Sequence, residues 1–462
     1  MNRLDDAIAE QLRQRFGSDF STSAALREQH AHNTTWHENQ PPDGVVAAKT
    51  VQDVCDLVRI CHDNDLPLIC FGAGSSVEGQ INAPFGGVSL DLSGMDQILA
   101  VSAENGTCTV EPGITRLRLN EELRRHGMFF PVDPGADASI GGMAATRASG
   151  TNAVRYGTMR DNVLALKAVM ADGALVNAGR GVRKSATGFD LAHLLVGSEG
   201  LLGIITEVTL RIYPLPEAMI AGRVDFPDVA SACTAAIQGL QYGLPFARIE
   251  LMDKVQIRAS NSYSGMNLPE RPHLFVELAG DPDAIAAQAE VFAAVVDECG
   301  GENLDWESRA EARNELWKAR HNSYWAGTAV RPGTRAITTD VCVPLDKLAT
   351  IVDRSRKELD HRNIFGMIVG HVGDGNFHVQ MMVDFENAAE VESAFSFVEW
   401  LADAAISLGG TVSGEHGIGQ GKIKFMEREH GLAAIEVMAA IKKVLDPKGI
   451  LNPGKLLPVQ SL

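Results

Sequence analysis

Two histidines, His371 and His378, flank the run Gly-Asp-Gly-Asn in the segment HVGDGNFHVQ. The neighbouring stretches FGMIV and VQMMV are apolar and rich in strand formers, and glycine with Asx residues is typical of tight turns, so the segment predicts a β-hairpin. A turn centred on Asp374 and Gly375 would set His371 directly opposite His378, with Cβ atoms roughly 5 Å apart on one face. Two imidazoles so placed can bind one divalent metal ion. The alternative is a pair of ordinary strand histidines at a hairpin end.

Further along the chain, Glu415 and His416 stand between glycines in the segment SGEHGIG. Two histidines and one carboxylate form a recurrent catalytic metal arrangement that leaves coordination positions open. Glu415 would supply the anionic ligand, and His416 is a candidate general base because the ordinary histidine pKa lies near neutral pH. The flanking glycines allow the backbone to aim both side chains at one centre. A loop with a solvated Glu-His pair is the alternative.

The bulk composition restricts the class of protein. A chain of 462 residues is too long for one typical core, so two or more domains are expected. Its 45% hydrophobic and 22% charged residues are typical of a globular protein, and a net charge of −18 argues against nucleic acid or an anionic membrane as a main partner. The N-terminus lacks an apolar signal core, and no apolar run is long enough to span a membrane. The seven scattered cysteines predict reduced thiols in a cytosolic protein.

Three segments rich in glycine, alanine and serine occupy residues 71–79, 133–150 and 197–206, namely FGAGSSVEG, DPGADASIGGMAATRASG and GSEGLLGIIT. Small residues let the backbone approach a flat ligand closely, and clustered backbone amides can hold phosphate oxygens. The first segment is neither a Walker loop nor a GxGxxG motif that opens a helix, so by itself it is equally well an ordinary surface loop. The three segments together favour a large planar cofactor.

The order of elements adds the framework around these segments. A helix is predicted at 51–64, between two strands, and the double-proline exit near Pro216 marks a domain boundary. Beyond it, strands such as HLFVELAG alternate with amphipathic helices, which predicts an α+β sheet with one face covered.

With these three segments, and with TTDVCVP, HVGDGNFH, SGEHGIG and the terminal ILNPGKLLP, the chain resembles the vanillyl-alcohol-oxidase type of flavoprotein. Within that type it is most similar to the FAD-linked D-2-hydroxyacid dehydrogenases. The resemblance implies an α+β fold, in which a two-subdomain FAD-binding domain is joined to an α+β substrate (cap) domain with an antiparallel sheet. It divides the chain into an N-terminal helical segment (1–42), the FAD-binding domain (43–216), the cap domain (217–410) and a C-terminal segment that returns to the FAD-binding domain (411–462).

The resemblance also implies how FAD is held. The pyrophosphate would lie on the first small-residue loop and the isoalloxazine beside the second segment, with further contacts from Ile205 and Asn452. Some relatives bind FAD covalently through a histidine in the first loop, but residues 72–76 here are only Gly, Ala and Ser, so non-covalent FAD is expected. The implied FAD contacts are Gly72, Ala73, Gly74, Ser75, Ser76, Pro134, Ser139, Gly141, Gly142, Thr146, Ser149, Gly150, Ile205 and Asn452.

The same resemblance assigns the metal and the catalytic base. His371, His378 and Glu415 match the residues that bind a divalent metal, zinc or manganese, in the 2-hydroxyacid branch. His416 matches the catalytic base.

Substrate contacts follow from the same comparison with the family. Arg320, in WKARHNSYWAG, would hold the substrate carboxylate, because guanidinium offers two parallel donors. A helix-surface arginine is the alternative. Asn376 and Thr338 join Arg320 and His416 as implied substrate contacts. Relatives that oxidise hydroxyglutarate carry a lysine at the position of Thr338, so this chain is expected to prefer a short monocarboxylate unless Arg331 or Arg335 supplies the missing charge.

The expected reaction is the FAD-dependent oxidation of a small D-2-hydroxyacid. The first expected substrate is D-lactate, which would be oxidised to pyruvate. The metal would activate the hydroxyl, His416 would take its proton, and a hydride would pass to flavin N5. The electrons would pass to a cytochrome, a quinone or an electron-transfer flavoprotein. Oxidation of D-2-hydroxyglutarate or glycolate, a flavin-dependent alkyl transfer, and a flavin-free metallohydrolase are the alternatives. We expect a cytoplasmic protein without a nucleic-acid partner, with peripheral attachment at the inner membrane face and a homodimer as candidate states.

Overall fold

The computed structural model describes residues 2–32 and 35–458. The strands are β1 (Phe20–Ser21), β2 (Gly44–Ala47), β3 (Leu68–Phe71), β4 (Val88–Asp91), β5 (Ile98–Ser102), β6 (Thr107–Val110), β7 (Met128–Phe129), β8 (Val163–Val169), β9 (Leu175–Gly179), β10 (Ile204–Arg211), β11 (Tyr213–Pro214), β12 (Ala218–Asp225), β13 (Phe246–Met252), β14 (His273–Gly280), β15 (Glu302–Glu307), β16 (Arg335–Thr338), β17 (Val341–Cys342), β18 (Gly366–His371) and β19 (Asn376–Val383).

The helices are distributed along the whole described chain. The α-helices are α1 (Asp6–Phe16), α2 (Ala24–Gln29), α3 (Val51–Asp63), α4 (Arg116–Leu123), α5 (Ile140–Thr146), α6 (Ala153–Tyr156), α7 (Met159–Asn162), α8 (Leu191–Leu195), α9 (Val229–Gln241), α10 (Lys254–Ser264), α11 (Pro282–Glu298), α12 (Ala310–His321), α13 (Ser323–Val330), α14 (Leu345–His361), α15 (Ala388–Ser407), α16 (Met426–His430) and α17 (Leu432–Leu445). Short 3-10 helices cover Gly17–Asp19, Arg124–His126 and Ile423–Phe425.

The chain folds as two compact units. Unit 1 comprises Met1–Ser149, Gly157–Leu215 and Glu415–Leu462, and unit 2 comprises Gly150–Tyr156 and Pro216–Gly414. The N-terminal helices therefore belong to unit 1, and the short segment Gly150–Tyr156 is grouped with unit 2.

Unit 1 is built on two larger sheets and a two-stranded ribbon, β11-β7. The first sheet has the order β1-β2-β4-β3, with β4 parallel to both β2 and β3, and the second is antiparallel with the order β5-β6-β10-β8-β9. The predicted helix at 51–64 is α3, which begins with a capping box between Thr50 and Asp53. Its buried Val54, Leu57 and Val58 lie at helical spacing in the core that also covers the first sheet.

Unit 2 contains one sheet of eight strands. Seven strands follow the order β15-β12-β14-β13-β18-β19-β16, with antiparallel neighbours, and β17 pairs with β19. Every residue of β19 and all but the last residue of β14 are buried, so both faces of the sheet are covered along these two strands. The prediction of a single covered face is therefore wrong. The continuous apolar runs in these strands, rather than an apolar-polar alternation, are typical of strands buried on both sides.

Two further expectations concern the whole chain. All seven cysteines are free thiols, as the sequence predicts. Across residues 2–32 and 35–458, no helix has both the length and the apolar character needed to cross a membrane.

Candidate active site

The predicted hairpin forms from β18 and β19, but its register differs from the expected one. His371 pairs with Asn376 and Val369 pairs with His378, so His371 is not directly opposite His378. The connection is a four-residue turn at 372–375, in which Gly375 has a φ of +88° and the Asn376 N–H donates to Asp374 Oδ1 at 3.2 Å. The pairing is thus displaced by two residues, and because side chains alternate with a period of two, both histidines still share one face.

The two imidazoles lie close to each other, and imidazole is a common metal ligand. The ring centroids of His371 and His378 lie 5.4 Å apart, and both side chains are buried. His371 Nδ1 is 2.7 Å from Glu250 Oε1, and His378 Nδ1 lies 3.1 Å from the carbonyl oxygen of Thr339, which fixes both rings as Nδ1–H tautomers. Nε2 is then the nitrogen of each ring that would ligate a metal, the arrangement usual for metal-binding histidines. The residues present therefore fit a divalent ion.

Glu250 connects this pair to Arg320, the residue predicted to hold the substrate carboxylate. It is fully buried in β13, and its Oε2 accepts hydrogen bonds from Arg320 Nε at 2.9 Å and Nη2 at 2.6 Å. Burial acts to raise the pKa of the Glu250 carboxyl, but the interactions with His371 and Arg320 outweigh it and hold that pKa below its usual value. Arg320 is only 8% exposed, so the alternative of a helix-surface arginine is wrong.

A second buried acid, Asp340, lies beside the other histidine. Its Oδ1 is 3.6 Å from His378 Nδ1 and accepts from Asn376 Nδ2 at 2.9 Å, while its Oδ2 accepts from Ser413 Oγ at 2.9 Å. Asp340 and His378 each offer a ligand atom within 4.8 Å of the other. The Asn376 amide also donates to Val341 O, so the contacts seen for this residue position Asp340.

Near Thr338, one of the two arginines that could replace the missing lysine charge is already paired with a carboxylate. Thr338 pairs with Gln380 across β16 and β19 and is half-buried. Arg331 is held by Glu390 through two hydrogen bonds of 2.9 and 2.7 Å, which neutralises its charge locally. The Arg335 guanidinium lies 5.3 Å from the centroid of the Phe385 ring.

In unit 1, Glu415 and His416 follow directly on Gly414, the last residue of unit 2. His416 Nε2 lies 4.0 Å from Glu415 Oε1, and its Nδ1 lies 4.0 Å from Glu78 Oε1. The carbonyl oxygen of His416 accepts from Gln80 Nε2 at 2.8 Å. The segment is thus oriented by its backbone as well as by its side chains.

Glu199 accepts hydrogen bonds from the backbone of the residues that follow His416. Its two carboxylate oxygens accept from the backbone N–H groups of Ile418 and Gly419 at 2.6 and 2.9 Å. Burial raises the pKa of the Glu199 carboxyl to about 7. The Asn452 side chain donates to the carbonyl oxygen of Glu199 at 2.6 Å, which ties the C-terminal segment to the same point.

The candidate FAD loop, Gly72 to Ser76, begins where β3 ends. A Cβ atom on Gly72 would lie 2.2 Å from Ser139 Oγ, so the loop backbone approaches the start of α5 more closely than any side chain allows. Gly74 has a φ of +66°, a conformation that favours glycine. The backbone of Asn452 donates to Leu68 O at 2.9 Å, which brings the C-terminal segment alongside the same strand.

The other predicted FAD contacts lie mainly around α5. Gly141 packs against Pro112, with room for no Cβ, and Thr146 Oγ1 donates to Gly142 O at 3.1 Å. Ile205, in β10, belongs to the core that buries α5. Ser139 and Ser149 are buried, whereas Gly150 is grouped with unit 2. Pro134, Ala73, Ser75 and Ser76 lie in irregular segments of unit 1.

Replacement of Gly72 by valine should weaken FAD binding. The added side chain must displace Ser139 or enter the space above the loop. Such overpacking typically costs about 1–3 kcal/mol, which corresponds to roughly 5–150-fold if it falls on FAD affinity. FAD content after purification and the dissociation constant on reconstitution measure the effect. Gly181→Val is the matched control, since Gly181 lies outside the predicted FAD segments and a Cβ there would meet only Thr209 Cγ2, at an ordinary contact distance of 3.4 Å. Equal FAD binding by both variants would contradict the loop assignment.

Solved structures of two other enzymes have the same fold as this chain. p-Cresol methylhydroxylase superposes with a TM-score of 0.80 over 97% of this chain and 96% of that chain at 18% identity, and alkyldihydroxyacetonephosphate synthase with 0.74 over 98% and 85% at 18% identity. Likeness at this identity establishes the fold.

Family models and relatives identify the chain more narrowly. Residues 42–179 match the model described as "FAD binding domain", and residues 215–456 match "FAD linked oxidases, C-terminal domain". The chain belongs to the FAD-linked oxidases and is an FAD-dependent oxidoreductase. It is 47% identical to "Probable D-lactate dehydrogenase, mitochondrial" of Danio rerio, over 95% of this chain and 88% of that protein. It is 43% identical to "D-lactate dehydrogenase [cytochrome], mitochondrial" of Arabidopsis thaliana, over 90% and 74%. A glycolate oxidase subunit of Bacillus subtilis is 30% identical, over 97% and 96%.

The family membership confirms the predicted FAD cofactor and the predicted flavoprotein fold. It also removes the flavin-free metallohydrolase from the alternatives. Sequence reasoning missed Glu250 and Asp340. Asp340 lies within the motif TTDVCVP, which carries part of the resemblance and could have indicated it. Glu250 alternates with apolar residues in its strand, a pattern typical of a solvent-facing residue.

Proposed function

We propose that this protein oxidises D-lactate to pyruvate with non-covalently bound FAD and passes the electrons to a cytochrome. The observation that carries the proposal is the buried pair His371 and His378, with Arg320 on the same carboxylate that holds His371. An anion-binding arginine beside a metal-ligating pair suits a small 2-hydroxyacid. The names of the relatives at 43% and 47% identity support the same substrate and, for the Arabidopsis protein, the acceptor.

Arg320 binds the substrate carboxylate. Its Nε and Nη2 donate to Glu250, so the edge formed by Nη1 and Nη2 is the one that would meet the substrate. A charge-assisted pair of parallel hydrogen bonds fixes the orientation of the hydroxyacid. Thr338 carries no charge where the hydroxyglutarate relatives have a lysine, and Arg331 is paired with Glu390, which suits a substrate whose other end is a methyl group.

His416 accepts the hydroxyl proton. Its Nε2 side faces Glu415 and its Nδ1 side faces Glu78, so the ring is bracketed by two carboxylates that stabilise the imidazolium formed when the proton arrives. The C2 hydrogen leaves with two electrons, and loss of both hydrogens converts D-lactate to pyruvate. FAD, when bound, supplies the two-electron acceptor.

His371 and His378 would hold the divalent metal, zinc or manganese, with Glu415 as the third ligand. Glu415 is assigned by its place in the segment SGEHGIG, which the resemblance matches to the third ligand. A divalent ion, when bound, would lower the pKa of the substrate hydroxyl as a Lewis acid.

Anaerobic mixing with D-lactate tests the proposal. D-lactate should bleach the visible absorption band of the oxidised flavin, and L-lactate should not. Cytochrome c reduction under the same conditions tests the acceptor. Failure of D-lactate to bleach the flavin would exclude it as the substrate. Glycolate belongs in the same panel because a glycolate oxidase subunit is among the relatives.

Introduction of a charge by Thr338→Lys should change the substrate preference. The unmodified protein would have to bury the second carboxylate of D-2-hydroxyglutarate unpaired, which is costly, whereas lactate presents only a methyl group. Lysine at this position should narrow or reverse the preference, measured as the ratio of kcat/KM for the two substrates. Thr334→Lys is a control with the same new charge placed outside the strand β16. A wild-type preference for the diacid would overturn the assignment to lactate.

The remaining expectations stay predictions. These are the cytoplasmic location, the peripheral attachment at the inner membrane face, the homodimer and the lack of a nucleic-acid partner. The alkyl-transfer alternative rests on fold likeness alone and has no support from the relatives' names.

A further inference from the structure

The carboxylate of Glu250 occupies an unusual place in unit 2. It is fully buried, and each of its two oxygens serves a different partner, Oε1 for His371 Nδ1 at 2.7 Å and Oε2 for Arg320 Nε and Nη2 at 2.9 and 2.6 Å. A single cationic partner would be enough to neutralise the charge of a buried carboxylate. Here one side chain spans a predicted metal ligand and a predicted substrate contact.

We infer that Glu250 is a positioning residue that sets metal affinity and substrate-carboxylate binding together. The inference rests on the proposed function, because it needs His371 as a metal ligand and Arg320 as the clamp. By accepting from Nδ1–H, Glu250 directs His371 Nε2 toward the metal and fixes the tautomer that can ligate it. By holding the Nε–Nη2 edge of Arg320, it presents the other edge to the substrate.

A glutamine at this position can satisfy only one of the two partners. Its amide has one oxygen that accepts and one nitrogen that donates, whereas both His371 Nδ1–H and the Arg320 guanidinium require an acceptor. If the amide oxygen faces Arg320, the amide nitrogen faces His371 and favours the tautomer that carries its proton on Nε2, which cannot ligate a metal through that nitrogen. If the oxygen faces His371, the amide N–H groups face the guanidinium N–H groups, and Arg320 loses its acceptor. In either orientation the negative charge beside Arg320 is lost.

The neighbouring Glu277 provides a matched control. It is 3% exposed and lies in the adjacent strand β14, where its Oε2 accepts from Trp317 Nε1 at 2.8 Å and its Oε1 lies 3.7 Å from Arg248 Nε. Glu277→Gln therefore removes the same charge from the same sheet without touching His371 or Arg320.

Metal titration of the FAD-loaded protein, with Zn²⁺ alone and a chromophoric chelator as competitor, tests the inference. Glu250→Gln should raise the dissociation constant for Zn²⁺ by about 10–100-fold, as replacement of a carboxylate behind a metal-ligating histidine does. Glu277→Gln should leave it unchanged. At saturating metal, Glu250→Gln should also raise KM for D-lactate. Equal zinc affinity in the two variants would overturn the inference.

A wild-type measurement covers the case in which Glu250→Gln fails to fold. In metal-free protein labelled with ¹⁵N-histidine, the His371 signal, assigned by its loss in His371→Gln, should be that of an Nδ1–H tautomer; an Nε2–H tautomer would overturn the inference. Failure of the proposed function is separate, since His378→Ala would then leave zinc affinity intact. If His378→Ala abolishes zinc binding while Glu250→Gln does not weaken it, the metal site stands and the role of Glu250 fails.

Discussion

Replacement of His378 by alanine is expected to strip the metal and reduce turnover at least about a hundredfold, because Lewis-acid stabilisation worth several kcal/mol is lost. FAD should stay bound, since the predicted FAD contacts cluster in unit 1 around β3 and α5, whereas His378 lies in β19 of unit 2. Metal content per chain, flavin content and kcat on D-lactate measure the three effects. Treatment of the wild-type protein with a chelator should reproduce the loss of turnover.

His273 supplies the matched control for this substitution. It is a buried histidine of the same sheet, in β14, and its Nδ1 bonds a backbone carbonyl at 2.8 Å, as His378 does at 3.1 Å. His273→Ala should therefore cost comparable stability without removing metal. Full metal stoichiometry in His378→Ala would rule out the proposed pair as the metal site.

Loss of the Arg320 guanidinium should lower kcat/KM for D-lactate by more than tenfold, because truncating a buried charge-assisted contact costs about 2–5 kcal/mol. Arg320→Lys should be impaired as well, since an ammonium group cannot offer two parallel donors to one carboxylate. The buried Glu250 would also lose a cationic partner in Arg320→Ala, so the free energy of unfolding should fall. Steady-state kinetics and denaturant unfolding must therefore be measured on the same preparations.

Substitution of Arg356 separates the effect on kcat/KM from the effect on the free energy of unfolding. Its side chain is 12% exposed and pairs with the fully buried Asp253 at 3.2 Å, so Arg356→Ala should destabilise unit 2 in a similar way. It is expected to leave kcat/KM on D-lactate unchanged. Wild-type kcat/KM in Arg320→Ala would mean that another group holds the substrate carboxylate.

Local patterns in the sequence predicted the parts of the site that are local in the chain. The hairpin, the shared face of His371 and His378, and α3 all follow from residues close in sequence. The predicted register of the hairpin is wrong because its turn is not centred on Asp374 and Gly375. The four residues 372–375 form the connection instead. The resemblance to a family supplied the remaining site residues, which the spacing of residue types alone left open.

The residues that sequence reasoning missed are held by long-range contacts. Glu250 and His371 are 121 positions apart, and nothing near Glu250 indicates which charged groups it will meet. In FARIELM, a glutamate between apolar residues resembles the solvent face of a half-covered sheet. Only the covering of both faces places it in the interior, and that depends on how the helices pack across the completed sheet.

Strand β3 also has a partner that is synthesised late. Leu68 pairs with Leu451 in a parallel bridge and donates to Ile450 O at 2.9 Å, so the edge of the sheet that leads into the candidate FAD loop needs residues that are translated long after it. At about 5–20 residues per second, the ribosome takes roughly 20–80 s to travel from one to the other. During that interval the larger part of unit 2, Pro216–Gly414, is translated as one continuous stretch. Unit 1 still lacks its third segment, which begins at Glu415. Loading of the flavin is thus expected only after residues 450 and 451 have been translated, and nascent chains stalled before residue 450 should emerge without it.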